Sequence, residues 1–200
     1  MSNVRKSLAL AGAVFMAATC VACRNRRVEN ASLGGSPMNN AGDRGGRPTI
    51  VAADEGEHRV RRIAGIGRFT IKVDPVTVHS ADLVLMTEVI APGDRIPPHI
   101  HPSEDEIIFV HAGRGAVELG DRRDTISTGA TVYIPRSTRI AVRNSGNAPL
   151  EIVAIFSHPG FEQYLRDTSA PEGQTILPLT AAELASLRQK HAAHVVWERR

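Results

Sequence analysis

Residues 93–113, GDRIPPHIHPSEDEIIFVHAG, constrain the fold more than any other stretch of the chain. His99 and His101 stand two apart, so on an extended strand both imidazoles project from one face and reach a single ion. Pro102 and Ser103 break that strand. After a short acidic turn Glu106 opens the apolar run IIFV, which reads as a buried strand and places a carboxylate opposite the imidazoles. Gly93 and Gly113 bracket the segment where the chain must turn sharply, which other residues do badly. Two histidines and one carboxylate make the ligand set of a mononuclear metal site with open positions.

Around this segment, strand-like stretches recur at short intervals: IGRFTIKV, DLVLMTEVIA, HIH, EIIFVHA, GAVELG, TVYIP, IAVRN and LEIVAIF. Gly, Pro, Asp or Asn stand between most of them, and Gly120–Asp121 forms a hairpin tip between AVEL and DTIS. Many short strands with regular turn signals predict an all-β, antiparallel sandwich or barrel. The unit extends from about residue 53 to 200, enough chain for one self-sufficient core.

The spacing Gly93, His99, His101, Glu106, Gly113 resembles the first signature motif of the cupin superfamily, with every fixed position filled. GATVYIPRSTRIAVRN is similar to the second motif, with Gly129, Pro135 and Asn144 in place, so the two motifs span 93–144. Ser137 replaces the usual glycine, and Ile140 occupies the place of the family's third metal-binding histidine. The resemblance implies a double-stranded β-helix, or jelly-roll barrel, with short C-terminal helices. It also implies one divalent metal held by His99, His101 and Glu106. With Ile140 at the fourth corner the set suits iron(II) with oxygen; manganese, nickel, copper and zinc fit it too. Dimerisation through the barrel sheets is common in the family. The tail FEQYLRD, PLT and a leucine-bearing helix resemble small bacterial one-domain cupins, some named after quercetin dioxygenases.

The first residues belong to no fold. Arg5 and Lys6 precede SLALAGAVFMAAT, the n-region and h-region of an export signal over residues 1–22. Both cysteines follow at once, and Val21, Ala22, Cys23 resembles a bacterial lipobox, with Cys20 where an aliphatic is usual; it would make Cys23 the lipidated first residue of an envelope-anchored protein, plain secretion and an uncleaved anchor being the alternatives. A disulfide between Cys20 and Cys23 is the other reading of the pair. Residues 23–52, rich in Asn, Gly, Ser and Arg, read as a flexible tether with a reach on the order of 25 to 30 Å. Arg24, Arg26 and Arg27 read either as added attraction to anionic lipid or as a solvated basic start. Removing the signal takes two of the 24 basic residues and none of the 21 acidic ones, leaving a nearly neutral chain. With one Trp, two Tyr and five Phe, stacking platforms are sparse, so no nucleic-acid partner is expected.

Past the strands, HPGFEQYLRDT predicts a short helix, and Thr180 and Glu183 have capping-box spacing before a second helix outside the barrel. Leu184 and Leu187 share a narrow apolar face bordered by Arg188. Glu104 reads as a solvated turn residue and His111 as exterior. His158 reads as a loop residue, and His191 and His194 as solvent-facing. Arg139 and Arg143 face away from Ile140 and Val142, and together with Arg136 form a basic surface stripe with potential for an anionic substrate. Three functions follow: a metal-dependent, dioxygenase-like enzyme acting on a small molecule, a non-catalytic small-molecule-binding lipoprotein with a degenerate metal site, or a dimerising scaffold.

Overall fold

The computed structural model describes residues 48–63 and 67–198. Cys20, Cys23, the expected signal and most of the expected tether lie outside the described residues. The first strands are β1 (Glu57–Arg61), β2 (Arg68–Val73), β3 (Val84–Ile90), β4 (Arg95–Ile100) and β5 (Glu106–Ala112). Next come β6 (Arg114–Leu119), β7 (Arg122–Ser127), β8 (Thr131–Ile134), β9 (Arg139–Asn144) and β10 (Leu150–Phe156). Helix α1 (Phe161–Asp167), strand β11 (Ser169–Pro171), helix α2 (Ala181–Lys190) and strand β12 (Val196–Trp197) complete the series. All pairings are antiparallel and form two sheets, β11-β1-β2-β3-β10-β5-β8 and β12-β4-β9-β6-β7. The all-β expectation holds, and strands β1, β11 and β12 lie beyond it.

Strict alternation in β3 and β10 sends every second side chain between the sheets. Ile90, Ile108, Val110, Ile134, Leu150 and Ile152 of one sheet meet Ile96, Val117, Ile126, Ile140 and Val142 of the other. A second cluster occupies the same inner face further along: Phe69, Ile71, Val84, Met86, Ala154 and Phe156, capped by Phe161, Tyr164 and Leu165 of α1. Helix α1 is thus a stopper at one end of the barrel. Helix α2 buries none of its residues, consistent with its expected place outside, and starts with the reciprocal capping box of Thr180 and Glu183.

Turn chemistry fixes the rest. Gly113 has φ 93, and a Cβ there would run into the Pro149 carbonyl, so conformation and space both require glycine. The hairpin tip falls where expected, with Leu119 opposite Arg122. Asn144, 1% exposed, donates from Nδ2 to the carbonyls of Ile90 and Ala148 at 2.8 Å and accepts from the Gly146 amide at 2.9 Å, pinning the loop after β9.

Ser137 has φ 62, the left-handed region that favours glycine. Its amide donates to the His101 carbonyl at 2.7 Å, so the strain sits at the rim of the histidine strand. A left-handed conformation costs a residue with a Cβ about 1 to 2 kcal/mol, partly offset by the greater freedom of glycine in the unfolded chain. Ser137→Gly is expected to raise stability by about 0.5 to 1 kcal/mol. Urea denaturation checks this, with an unchanged m-value.

Candidate metal centre

Strand β4 carries Pro97 and Pro98, which have carbonyls but no amide hydrogen to give the ladder, and the register shifts there between Ile96 and His99. Both carbonyls find partners. Pro97 accepts from His99 Nδ1 at 2.8 Å, and Pro98 accepts from the Glu198 amide at 3.1 Å. A carbonyl can only accept, so the proton of His99 is on Nδ1 and its lone pair is on Nε2. His101 is held in the same tautomer, because its Nδ1 donates to the carbonyl of His194 at 2.8 Å. The two rings meet edge to face, 4.9 Å between centroids.

Glu106 opens β5 opposite Ile134 of β8 and Phe156 of β10, on the inward parity of both. Its Oε2 is 3.7 Å from His101 Nε2, too long for a hydrogen bond, and both atoms are buried without a partner among the described residues. One ligand atom each from His99, His101 and Glu106 falls within 4.8 Å of the other two. The three side chains lie where the two apolar clusters join: His99 pairs with Ile140 of the first, and His101 packs on Phe156 and Phe161 of the second.

The surroundings set the charges. Burial pushes His99 down to about 3, with the charges of His101 and Arg61 adding to it. Burial likewise brings His101 down to about 4. Burial, and then the neighbouring Glu88 carboxylate, raises Glu106 to about 8. Near neutrality the metal-free trio is two neutral imidazoles and a protonated acid, so 3.7 Å is a contact between uncharged groups. These residues fit a divalent ion: two directed lone pairs, one exchangeable proton and two orphaned buried atoms are what its arrival would satisfy. Ile140, with 0% exposure, offers no lone pair, so the candidate ligand set is His99, His101 and Glu106.

Other expectations are corrected. Glu104 is not solvated: it is fully buried, receives a short hydrogen bond from His194 Nδ1, and has His158 at 3.9 Å. His191 is 6% exposed and bonded to Asp167 at 2.8 Å, and His194 is half-buried, with its ring bonded to Glu104 and its carbonyl to His101. Gly160 admits that imidazole, since a Cβ there would overlap its ring. His111 is exposed, as expected. Arg136 pairs with Asp105 and Arg139 with Glu118 and Glu198, while Arg143 is exposed. Sequence reasoning missed Glu88, though its signal was present: a carboxylate at the inward register of β3, between Met86 and Ile90.

A family sequence model described as "Cupin domain" matches residues 86–156, from β3 to the end of β10, and so contains His99, His101 and Glu106. Protein SchB of Streptomyces halstedii is 33% identical over 104 residues, covering 52% of this chain and 73% of that protein. The chain is a cupin. Its sequence also matches uncharacterized protein MJ1618 of Methanocaldococcus jannaschii, 34% identical over 77 residues, 38% of this cupin and 61% of that protein. The structure of KdgF from Halomonas sp. superposes with a TM-score of 0.50 at 21% identity, covering 57% of this chain and 99% of the other, a likeness of fold.

Because only Glu106 must lose a proton at neutral pH, metal uptake by this cupin should be acid-sensitive in one step. Manganese(II) affinity measured by calorimetry is expected to rise about tenfold per unit from about pH 6 to about pH 8, then level off. Glu106→Gln should bind more weakly and without that slope. A flat profile in the wild-type chain would show that the carboxyl is not the proton-linked ligand.

Proposed function

We propose that the chain is an exported, lipid-anchored cupin in which His99, His101 and Glu106 hold one divalent metal and turn over a small molecule in a dioxygenase-like reaction. The observation that carries this reading is the pair of imidazoles locked by backbone carbonyls with Nε2 free, beside a carboxyl whose Oε2 has no other partner. A bound ion there supplies Lewis acidity and, if it is iron(II), positions for oxygen and substrate. The chain's own residues orient the imidazoles, withhold competing protons and keep water out by burying the ligands. Ile140 leaves one protein ligand fewer than four, which supports open coordination positions. Cys23 is the acylated residue in this reading. Homodimerisation is part of the same reading, supported by Ile107, Phe109 and Tyr133 exposed together on the outer faces of β5 and β8.

Elemental analysis of the purified full chain, as isolated and after loading with iron(II), manganese(II) or zinc(II), is expected to find about one metal per chain. His99→Ala and His101→Ala are expected to lose it while retaining the β-rich circular dichroism. Oxygen uptake by the iron-loaded chain against a panel of oxygen-rich small molecules then tests turnover. Background metal in every loaded sample overturns the reading. Stoichiometric metal with no turnover in any form leaves a binding lipoprotein. Radiolabelled palmitate incorporated by the wild type and lost in Cys23→Ser checks the anchor.

A further inference from the structure

A metal accounts for the orphaned atoms of His101 and Glu106 but not for a second set close by. Arg61 Nε and Nη1, Tyr164 Oη, Arg188 Nε and Trp197 Nε1 are all buried without a hydrogen-bond partner among the described residues. These four side chains come from β1, α1, α2 and β12, yet they gather on one side of His99. The Trp197 ring stacks on His99 at 4.7 Å, and Tyr164 lies 5.8 Å from Trp197. The Arg188 guanidinium is 5.8 Å from the same indole. Arg61, its side chain 2% exposed, lies over Phe69 at 4.7 Å and touches Glu88 with only one nitrogen, at a long 3.4 Å. Its charge acts on both His99 and Tyr164, and the Arg188 and Trp197 donors act on the Tyr164 hydroxyl from outside hydrogen-bond geometry. The rings of His99, Trp197, Tyr164, Phe161 and His101 close a loop of contacts of 4.4 to 6.0 Å, so one wall of this region is aromatic.

The set is rich in donors: three of its five orphaned atoms sit on guanidiniums and one on an indole, none with acceptor capacity, and the Tyr164 hydroxyl both donates and accepts. Leaving such donors buried and unmatched is costly, so the set is complementary to something that brings oxygen lone pairs. A planar carboxylate offers about four lone-pair sites and matches guanidinium edges. An aromatic wall suits an apolar body attached to it. We propose that Arg61, Tyr164, Arg188 and Trp197 form a subsite that binds the carboxylate of a small organic acid beside the metal ligands. The inference deepens the metal-dependent reading above by naming its substrate class. The subsite itself is built without the metal.

Calorimetric titration of the full chain, stripped of metal with chelator, tests it with sodium acetate and benzoate against acetamide and benzamide, and with inorganic phosphate. Benzoate is expected to bind at least about tenfold more tightly than benzamide, since the amide brings no charge and only one acceptor atom. Arg61→Gln and Arg188→Gln should each weaken it by about 10- to 100-fold, and Tyr164→Phe by about threefold. Should Arg61→Gln fail to fold by circular dichroism, Arg188→Gln and Tyr164→Phe carry the test. Acids that bind no better than amides, acid affinity unmoved by the arginine changes, or phosphate preferred over both acids overturn the subsite. Benzoate binding that persists in His101→Ala, with no metal taken up by the wild type, upholds the subsite and removes the metal reading alone.

Discussion

The hydrogen bond from His101 Nδ1 to the carbonyl of His194 is the interaction on which the centre depends. It fixes the tautomer of His101 and anchors the segment that walls His99. Ser103 Oγ donates to the Ala193 carbonyl beside it, and the Glu198 amide donates to Pro98 beyond it, so residues 193–198 lie along β4 as a strap. Trp197 rides on that strap onto His99. The strap is held from below by Glu104, a buried carboxylate whose partner is the His194 ring, and Gly160 leaves the room that ring needs. Outer contacts of this kind fix the orientation of side chains that could hold a metal.

The second constraint is electrostatic. Ionised groups in a low-dielectric interior cost several kcal/mol each unless paired, and the junction of two apolar clusters holds Glu106, Glu88, Arg61, His99 and His101 together. The structure manages this by keeping the imidazoles neutral and the Glu106 carboxyl protonated, and by setting Glu88 against Arg61. Burial holds Glu88 itself above the usual carboxylate range, while Arg61 pulls the other way. The interior therefore carries more hydrogen-bonding capacity than it satisfies internally, and such departures from a closed polar network are characteristic of sites that exist for a ligand.

How far the sequence revealed this varied with the range of the interaction. His99, His101 and Glu106 were legible because alternation and a short turn bring them together within a few residues. The Gly120 hairpin and the Thr180–Glu183 cap were legible because they are local hydrogen-bonding patterns. Glu104 and His194 were not, because each looks solvated in its own neighbourhood and only the return of the chain, 90 residues on, buries them against each other. His191, expected to face solvent, instead caps α2 and is anchored by Asp167. Ser137 stands where the family usually has glycine, and the cost of that appears only with its backbone angle. Strands β1, β11 and β12 are sheet margins whose pairing is set by the strand beside them more than by their own pattern.

The strap also fixes the order in which the molecule can be assembled. The contact between His101 and His194 joins residues 93 apart, and closing a chain segment of that length carries an entropic penalty until intervening strands shorten the effective loop. The β3–β10–β5 core and helix α1 must therefore be in place before the strap has anything to lie on. Local pairing brings His99, His101 and Glu106 near one another early, but His101 acquires its orientation only when the distant strap docks, so that orientation is a late product of folding.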